Sequence, residues 1–96
     1  MKPSEAFDIH RTAIKEIVEA NQARNPRLFG SVARGDDNDR GDLDLLIDTT
    51  GATTLFDIAG IEMELRQLLG VPVHVTTTGA LRGPLRERIL AEALAV

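Results

Sequence analysis

Hydrophobic residues recur at helical spacing from the start of the chain. Phe7, Ile14, Ile17 and Val18 share one face of a helix that Pro3 and Ser4 open and that is predicted to run to about Ala23. Asn25-Pro26-Arg27 breaks it. "RLFGSV", residues 27–32, then reads as a short strand that turns at Gly30, and "SVARG" as one helical turn. A polar loop, "DDNDRG", leads into "DLDLLID", whose strict alternation predicts a strand from Asp42 to Asp48. Leu43, Leu45 and Ile47 point to one face of it, and Asp42, Asp44, Leu46 and Asp48 to the other. Leu55, Ile58, Ile61, Leu65, Leu68 and Leu69 mark a second helix that ends at Gly70. "VPVHVTT" alternates again as a third strand. Pro84, at the first helical position, opens a last helix carrying Leu85, Ile89, Leu90, Ala93 and Leu94.

The order α-β-β-α-β-α predicts an α/β (α+β) fold, a small mixed sheet with helices packed on it. No repeat, linker or low-complexity tract divides the chain, so residues 1–96 are expected to form one domain. A chain this short buries only about 60–65% of its unfolded surface, and a partner protein would widen its narrow margin of stability.

Composition narrows the function. Fifteen acidic residues against eleven basic ones give a net charge of -4, which speaks against unaided binding to duplex nucleic acid. Without cysteine there are no disulfides and no thiolate metal sites. The start, "MKPSEAFDIHR", has no apolar signal region, and no run approaches the ~20 apolar residues that span a bilayer. A cytoplasmic location is expected. His10 reads as a surface or boundary residue of the first helix.

Six aspartates fall between Asp36 and Asp48, and two of them, Asp42 and Asp44, precede the apolar Leu45-Leu46-Ile47. On a strand the Cα atoms of Asp42 and Asp44 stand roughly 6.5–7 Å apart on one face. Two carboxylates that close repel unless a cation sits between them. Mg²⁺ prefers carboxylate and phosphate oxygens, so Asp-x-Asp suits one or two such ions beside a triphosphate. Asp48 lies about 13 Å beyond Asp44 by the same arithmetic, too far to share them. The plainer explanation is an edge strand that uses charge to block aggregation. Gly30-Ser31, a dozen residues upstream, shifts the balance: glycine lets a phosphate approach the backbone, and serine adds a hydroxyl donor.

Two competing motifs fail. Gly30 and Gly35 have P-loop spacing, but Asp36-Asp37 follow where Lys-Ser/Thr is required. An EF-hand loop counted from Asp36 would put Arg40 and Ile47 at ligand positions.

The stretch "GSVARGDDNDRGDLDLLID" resembles the Gly-Ser … Asp-x-Asp signature of the DNA polymerase β-type nucleotidyltransferase superfamily. It is most similar to its shortest members, the minimal nucleotidyltransferases, which are antitoxins encoded beside HEPN-domain ribonuclease toxins. Gly30-Ser31, Arg34-Gly35, Asp42-x-Asp44 and Leu45-Leu46-Ile47 carry the likeness, and the element order extends it over essentially the whole chain. The resemblance implies that Gly30 and Ser31 hold the triphosphate of ATP and that Asp42 and Asp44 ligate Mg²⁺, with Mn²⁺ as a substitute. Arg34 matches the pattern as a phosphate contact, although pairing with a loop aspartate is an equal alternative. Gly41 stands where the family often has Ser.

Active members of the superfamily carry a third acidic residue on the strand after the second helix. Here His74 takes that position, on a face shared with Pro72 and Thr76, while Val71, Val73 and Val75 turn to the core. Three readings stay open. His74 acts as general base, imidazole being the side chain that exchanges protons near neutral pH. Alternatively it ligates a softer metal such as Mn²⁺ or Zn²⁺. Or catalysis is weak or lost, and the protein neutralises its partner by binding. For the family the implied reaction is transfer of AMP from ATP to a hydroxyl, a tyrosine of the HEPN toxin. A small-molecule adenylyltransferase is disfavoured, because no substrate domain accompanies this one. A homo- or hetero-oligomer is compatible with all of these.

Overall fold

The computed structural model describes residues Met1–Val96. Its helices are α1 (Pro3–Ile9), α2 (Arg11–Ala20), α3 (Gly30–Arg34), α4 (Leu55–Leu69) and α5 (Gly83–Glu92). Its strands are β1 (Ala23–Phe29), β2 (Leu43–Thr49), β3 (Val73–Thr77) and β4 (Leu94–Ala95). They form one mixed sheet in the order β3-β2-β1-β4. β1 runs antiparallel to β2 and β4, and β2 runs parallel to β3.

The predicted architecture holds, with local corrections. The first helix is two: His10, at φ -113° and ψ 22°, leaves helical geometry and turns the chain between α1 and α2. Phe7, Ile14 and Val18 are nonetheless buried together. That helical run stops at Ala20, and Ala23 already belongs to β1, which therefore starts earlier than its apolar residues suggested. Asn25 and Pro26 lie inside the strand as an irregularity between Arg24 and Arg27, with Asn25 at φ +54°. An Asn tolerates that conformation and a Pro tolerates a gap in the ladder, so the pair that signals a break is accommodated as a bulge.

α4 keeps its predicted bounds because both ends are capped. Thr54 Oγ1 accepts the Asp57 amide at 3.1 Å, and the Asp57 carboxylate accepts the Thr54 amide at 2.8 Å. Gly70 closes the helix at φ +68°. Ile61, Leu65 and Leu69 are buried, whereas Leu55, expected on the core face, is exposed in the first turn beside Phe56. In α5, which begins at Gly83 with Pro84 second, only Ile89 is buried; Leu85 and Leu90 face outward. Ala93 ends that helix, and Leu94 crosses into a two-residue strand paired with Arg27 and Leu28, a strand absent from the predicted order.

β2 is covered on both faces. Leu43, Leu45 and Ile47 enter the main core with residues of α1, α2, α4 and β3. On the opposite face Leu46 packs with Leu81 and Ile89, with Phe29 and Ala93 at their border. This second cluster is small, and on that face the stretch before Leu46 lies outside it and is left uncovered. No helix is long and apolar enough to cross a membrane.

Candidate active site

The uncovered stretch carries the aspartates. In the sheet register Asp44 stands between Phe29 of β1 and His74 of β3, and directly opposed residues share a face. The chain turns at Gly30 right beside it. Gly30 has φ +77°, and a Cβ built there would overlap Asp44 Oδ2 and come within 3.1 Å of its Cγ. The turn thus rests on the Asp44 carboxylate, a contact only glycine permits.

Asp42, just before β2, reaches across to β3. His74 Nε2 lies 2.9 Å from Asp42 Oδ2, and both side chains remain partly exposed. The predicted sharing of a face by Asp42, Asp44 and His74 is therefore what the structure has. Asp44 is half-buried, and burial raises its carboxyl above the ordinary aspartate value. The charges of Asp42 and, less strongly, Glu92 push the same way, against His74 and Arg34. A carboxylate disfavoured in this way by its surroundings gains from a cation beside it.

No group of three or more acidic or histidine side chains gathers to enclose a metal. Mg²⁺ is commonly bound through one or two carboxylates, with water and substrate phosphates completing the shell. Asp42 and Asp44 are the residues that would hold it.

Arg34, at the end of α3, lies 3.5 Å from Asp36 and 3.4 Å from Glu92. Its charged form is favoured first by Asp36, against some desolvation, and then by Glu92. The pairing of Arg34 with a loop aspartate is thus present, and it leaves the guanidinium partly exposed. Ser31, in the first turn of α3, is likewise partly exposed.

Two other aspartates of the run, Asp37 and Asp48, hold the scaffold. Asp37 accepts the Ser4 amide at the start of α1 at 2.9 Å. Asp48 receives bonds from Arg27 (2.5 Å), Asn25 (2.9 Å) and Thr78 (3.1 Å), at the other end of β2. His10 is partly buried at the junction of α1 and α2, away from these groups.

Sequence reasoning missed Glu92. Its Oε1 accepts the Gly30 amide at 2.8 Å, and Arg34 Nη1 approaches both its oxygens. Sixty-two residues separate it from Gly30, and no local pattern announces the contact. The larger surface hollow, about 580 Å³ between α2 and α4 and lined by Glu16, Ile17, Ala20, Glu64, Gln67 and Leu68, includes none of these residues. The face formed by Gly30, Asp42, Asp44 and His74 is a separate place on the surface.

This fold, a small mixed sheet with its acidic pair beside a Gly-Ser turn, defines a nucleotidyltransferase-like protein. Residues 10–96 match the family model described as nucleotidyltransferase domain, and the chain belongs to that family. It is 35% identical over 80 residues to a provisionally named protein adenylyltransferase of Methanocaldococcus jannaschii, covering 83% of this chain and 86% of that one. Among solved structures, a provisionally named minimal nucleotidyltransferase superposes with a TM-score of 0.87 at 36% identity, covering 97% of this chain and 95% of that one. A toxin-antitoxin crystal structure with AMP-PNP shares the fold at a TM-score of 0.75 and 15% identity, over 88% of this chain and 69% of that one.

Proposed function

We propose that this protein transfers AMP from ATP, with Mg²⁺, to a hydroxyl of a partner protein, and that it thereby acts as an antitoxin. The observation that carries the reading is the seating of the Gly30 turn on Asp44 with Asp42 alongside, a phosphate-approachable backbone against a paired carboxylate. In this reading Gly30, Ser31 and Arg34 bind and orient the triphosphate. Asp42 and Asp44 hold Mg²⁺, which when bound neutralises triphosphate charge. His74, whose Nε2 sits beside Asp42 Oδ2, is the side chain assigned to take the acceptor's proton. The acceptor oxygen attacks the α-phosphorus as pyrophosphate leaves. The protein adenylyltransferase name of the Methanocaldococcus relative supports a protein acceptor, and the toxin-antitoxin structure supports a toxin as that partner. The family resemblance adds a HEPN-domain toxin, a tyrosine acceptor and a cytoplasmic setting.

One observation favours a second reading, an antitoxin that neutralises by binding with slow or no catalysis. The position of the third acid is filled by His74, and that side chain is engaged by Asp42. Intact-mass measurement after incubating the protein with the product of the neighbouring gene, ATP and Mg²⁺ separates the two. A gain of about 329 Da per transferred AMP, the mass of the added group, supports the enzyme. A stable, unmodified complex supports the binder, and neither outcome would sink both.

A further inference from the structure

Glu92 takes no part in the reaction outlined above, yet its carboxylate lies among the groups assigned to the triphosphate. It is the last residue of α5, and its side chain is only 23% exposed. It accepts the Gly30 amide at 2.8 Å and lies 3.4–3.5 Å from Arg34 Nη1. Gly30 and Arg34 are two of the three residues given to phosphate binding. An amide N–H that points at a carboxylate cannot at the same time serve a phosphate oxygen, and two anions at one set of donors repel. Asp42 and Asp44 already make the surroundings negative, so the positive partners, Gly30 N–H and Arg34, are what keep Glu92 there.

Resting on the nucleotide-binding reading above, we propose that Glu92 is a built-in competitor of the triphosphate: its carboxylate occupies the donors of the Gly30 turn in the free protein and leaves them when a nucleotide binds. The same contact protects the turn. Without an anion, the Gly30 amide and the Arg34 guanidinium would face the Asp44 side of the sheet with no acceptor fixed between them. The contact has a consequence for affinity, because every nucleotide must first displace a tethered carboxylate whose effective concentration is high.

The test is calorimetric titration of the full chain with ATP and Mg²⁺, comparing wild type with Glu92→Gln. The amide keeps the shape and an acceptor for Gly30 but removes the charge that Arg34 pairs with. Glu92→Gln is expected to bind about two- to fivefold more tightly, the size of one partly exposed ion pair, with the gap narrowing as salt is raised. Equal or weaker binding by Glu92→Gln, with wild type binding normally, overturns the proposal and makes Glu92 a brace of the turn. If neither chain binds, the nucleotide-binding reading falls and this inference with it. Should the variant fold poorly, NMR of the unsubstituted protein decides: saturating ATP and Mg²⁺ must shift both the Gly30 amide and the Glu92 carboxyl carbon. A Glu92 carboxyl that stays put while the Asp44 signals move overturns the proposal.

Discussion

Gly30 has no room for a side chain because the Asp44 carboxylate fills that space: Gly30 opens α3 directly after β1, and Asp44 is an early residue of the adjacent antiparallel strand β2. This contact ties backbone conformation to the acidic site. Gly30→Ala meets two obstacles, a positive φ of +77° and direct overlap with Asp44 Oδ2. The substitution is expected to cost about 1–3 kcal/mol of stability and to push Asp44 out of its position. Thermal melts and labelling from α-labelled ATP in the presence of Mg²⁺ check both halves; an alanine variant that melts and labels like wild type contradicts the packing described.

Asp44 pairs function with a stability cost. Its carboxyl is raised by burial first and by Asp42 second, so the folded protein holds that proton more tightly than the unfolded chain does. A raised carboxyl contributes against folding once pH passes above the unfolded value, and Asp44→Asn removes that contribution. The variant should melt at the same temperature as wild type or higher at pH 7. Its labelling should fall by about 10²-fold or more, because one of two carboxylate ligands is gone. Asp42→Ala should lose labelling similarly. Undiminished labelling in either variant would remove these residues from the metal site.

Much of this was legible in the sequence, for reasons that differ by element. β2 announced itself because period-two alternation and a two-faced burial pattern are the same fact, and Leu46 on the aspartate side finds its own small core with Leu81 and Ile89. The end of α4 was legible because Gly70 is a local signal, while the reciprocal cap of Thr54 and Asp57 at its start, equally local, went unread. The break at His10 had no such signal: the apolar spacing of Phe7, Ile14 and Val18 continues across it, since two short helices can bury one stripe as well as one long helix. β1 was misplaced because Asn25-Pro26 reads as a stop, while the sheet absorbs it as an irregularity. β4 and Glu92 were invisible for a common reason. Both depend on where the end of α5 docks, against Leu28 and Gly30, a contact spanning more than half the chain.

His74 offers a direct comparison with the acid that the family places there. It lies opposite Asp44 in the parallel register, with its Nε2 2.9 Å from Asp42 Oδ2. His74→Asp would place a third carboxylate beside the pair, able to draw the proton from an acceptor hydroxyl. Under saturating Mg²⁺ the transfer rate is expected to rise about tenfold or more, within the range attributed to a positioned general base. His74→Ala, which removes the imidazole without adding a base, should instead lower the rate and leave Asp42 less ordered. Single-turnover measurements on the three chains give the order; no gain in the aspartate variant means that proton removal does not limit the reaction.

Acid stability should be governed at the other end of β2. Burial pushes the Asp48 carboxyl up, but hydrogen bonds from Asn25, Arg27 and Thr78 and the Arg27 charge outweigh it, so its pKa lies below the ordinary aspartate value. Asp37 is likewise lowered on balance, its burial outweighed by the Ser4 amide and hydroxyl. A depressed carboxyl stabilises the fold above its unfolded pKa, and that contribution is lost as pH falls through the unfolded value toward the folded one. The protein should therefore lose stability steadily as pH drops below about 4, where ordinary aspartates begin to protonate. Asp48→Asn should be less stable than wild type at pH 7, because Arg27, whose Nε is buried without a partner, then loses its carboxylate as well. The same variant should show a shallower decline on the acid side, since one of the groups responsible is gone. Melting temperatures from pH 7 to pH 2.5 measure both effects, and parallel curves for the two chains would place the acid-sensitive carboxylates elsewhere in the fold.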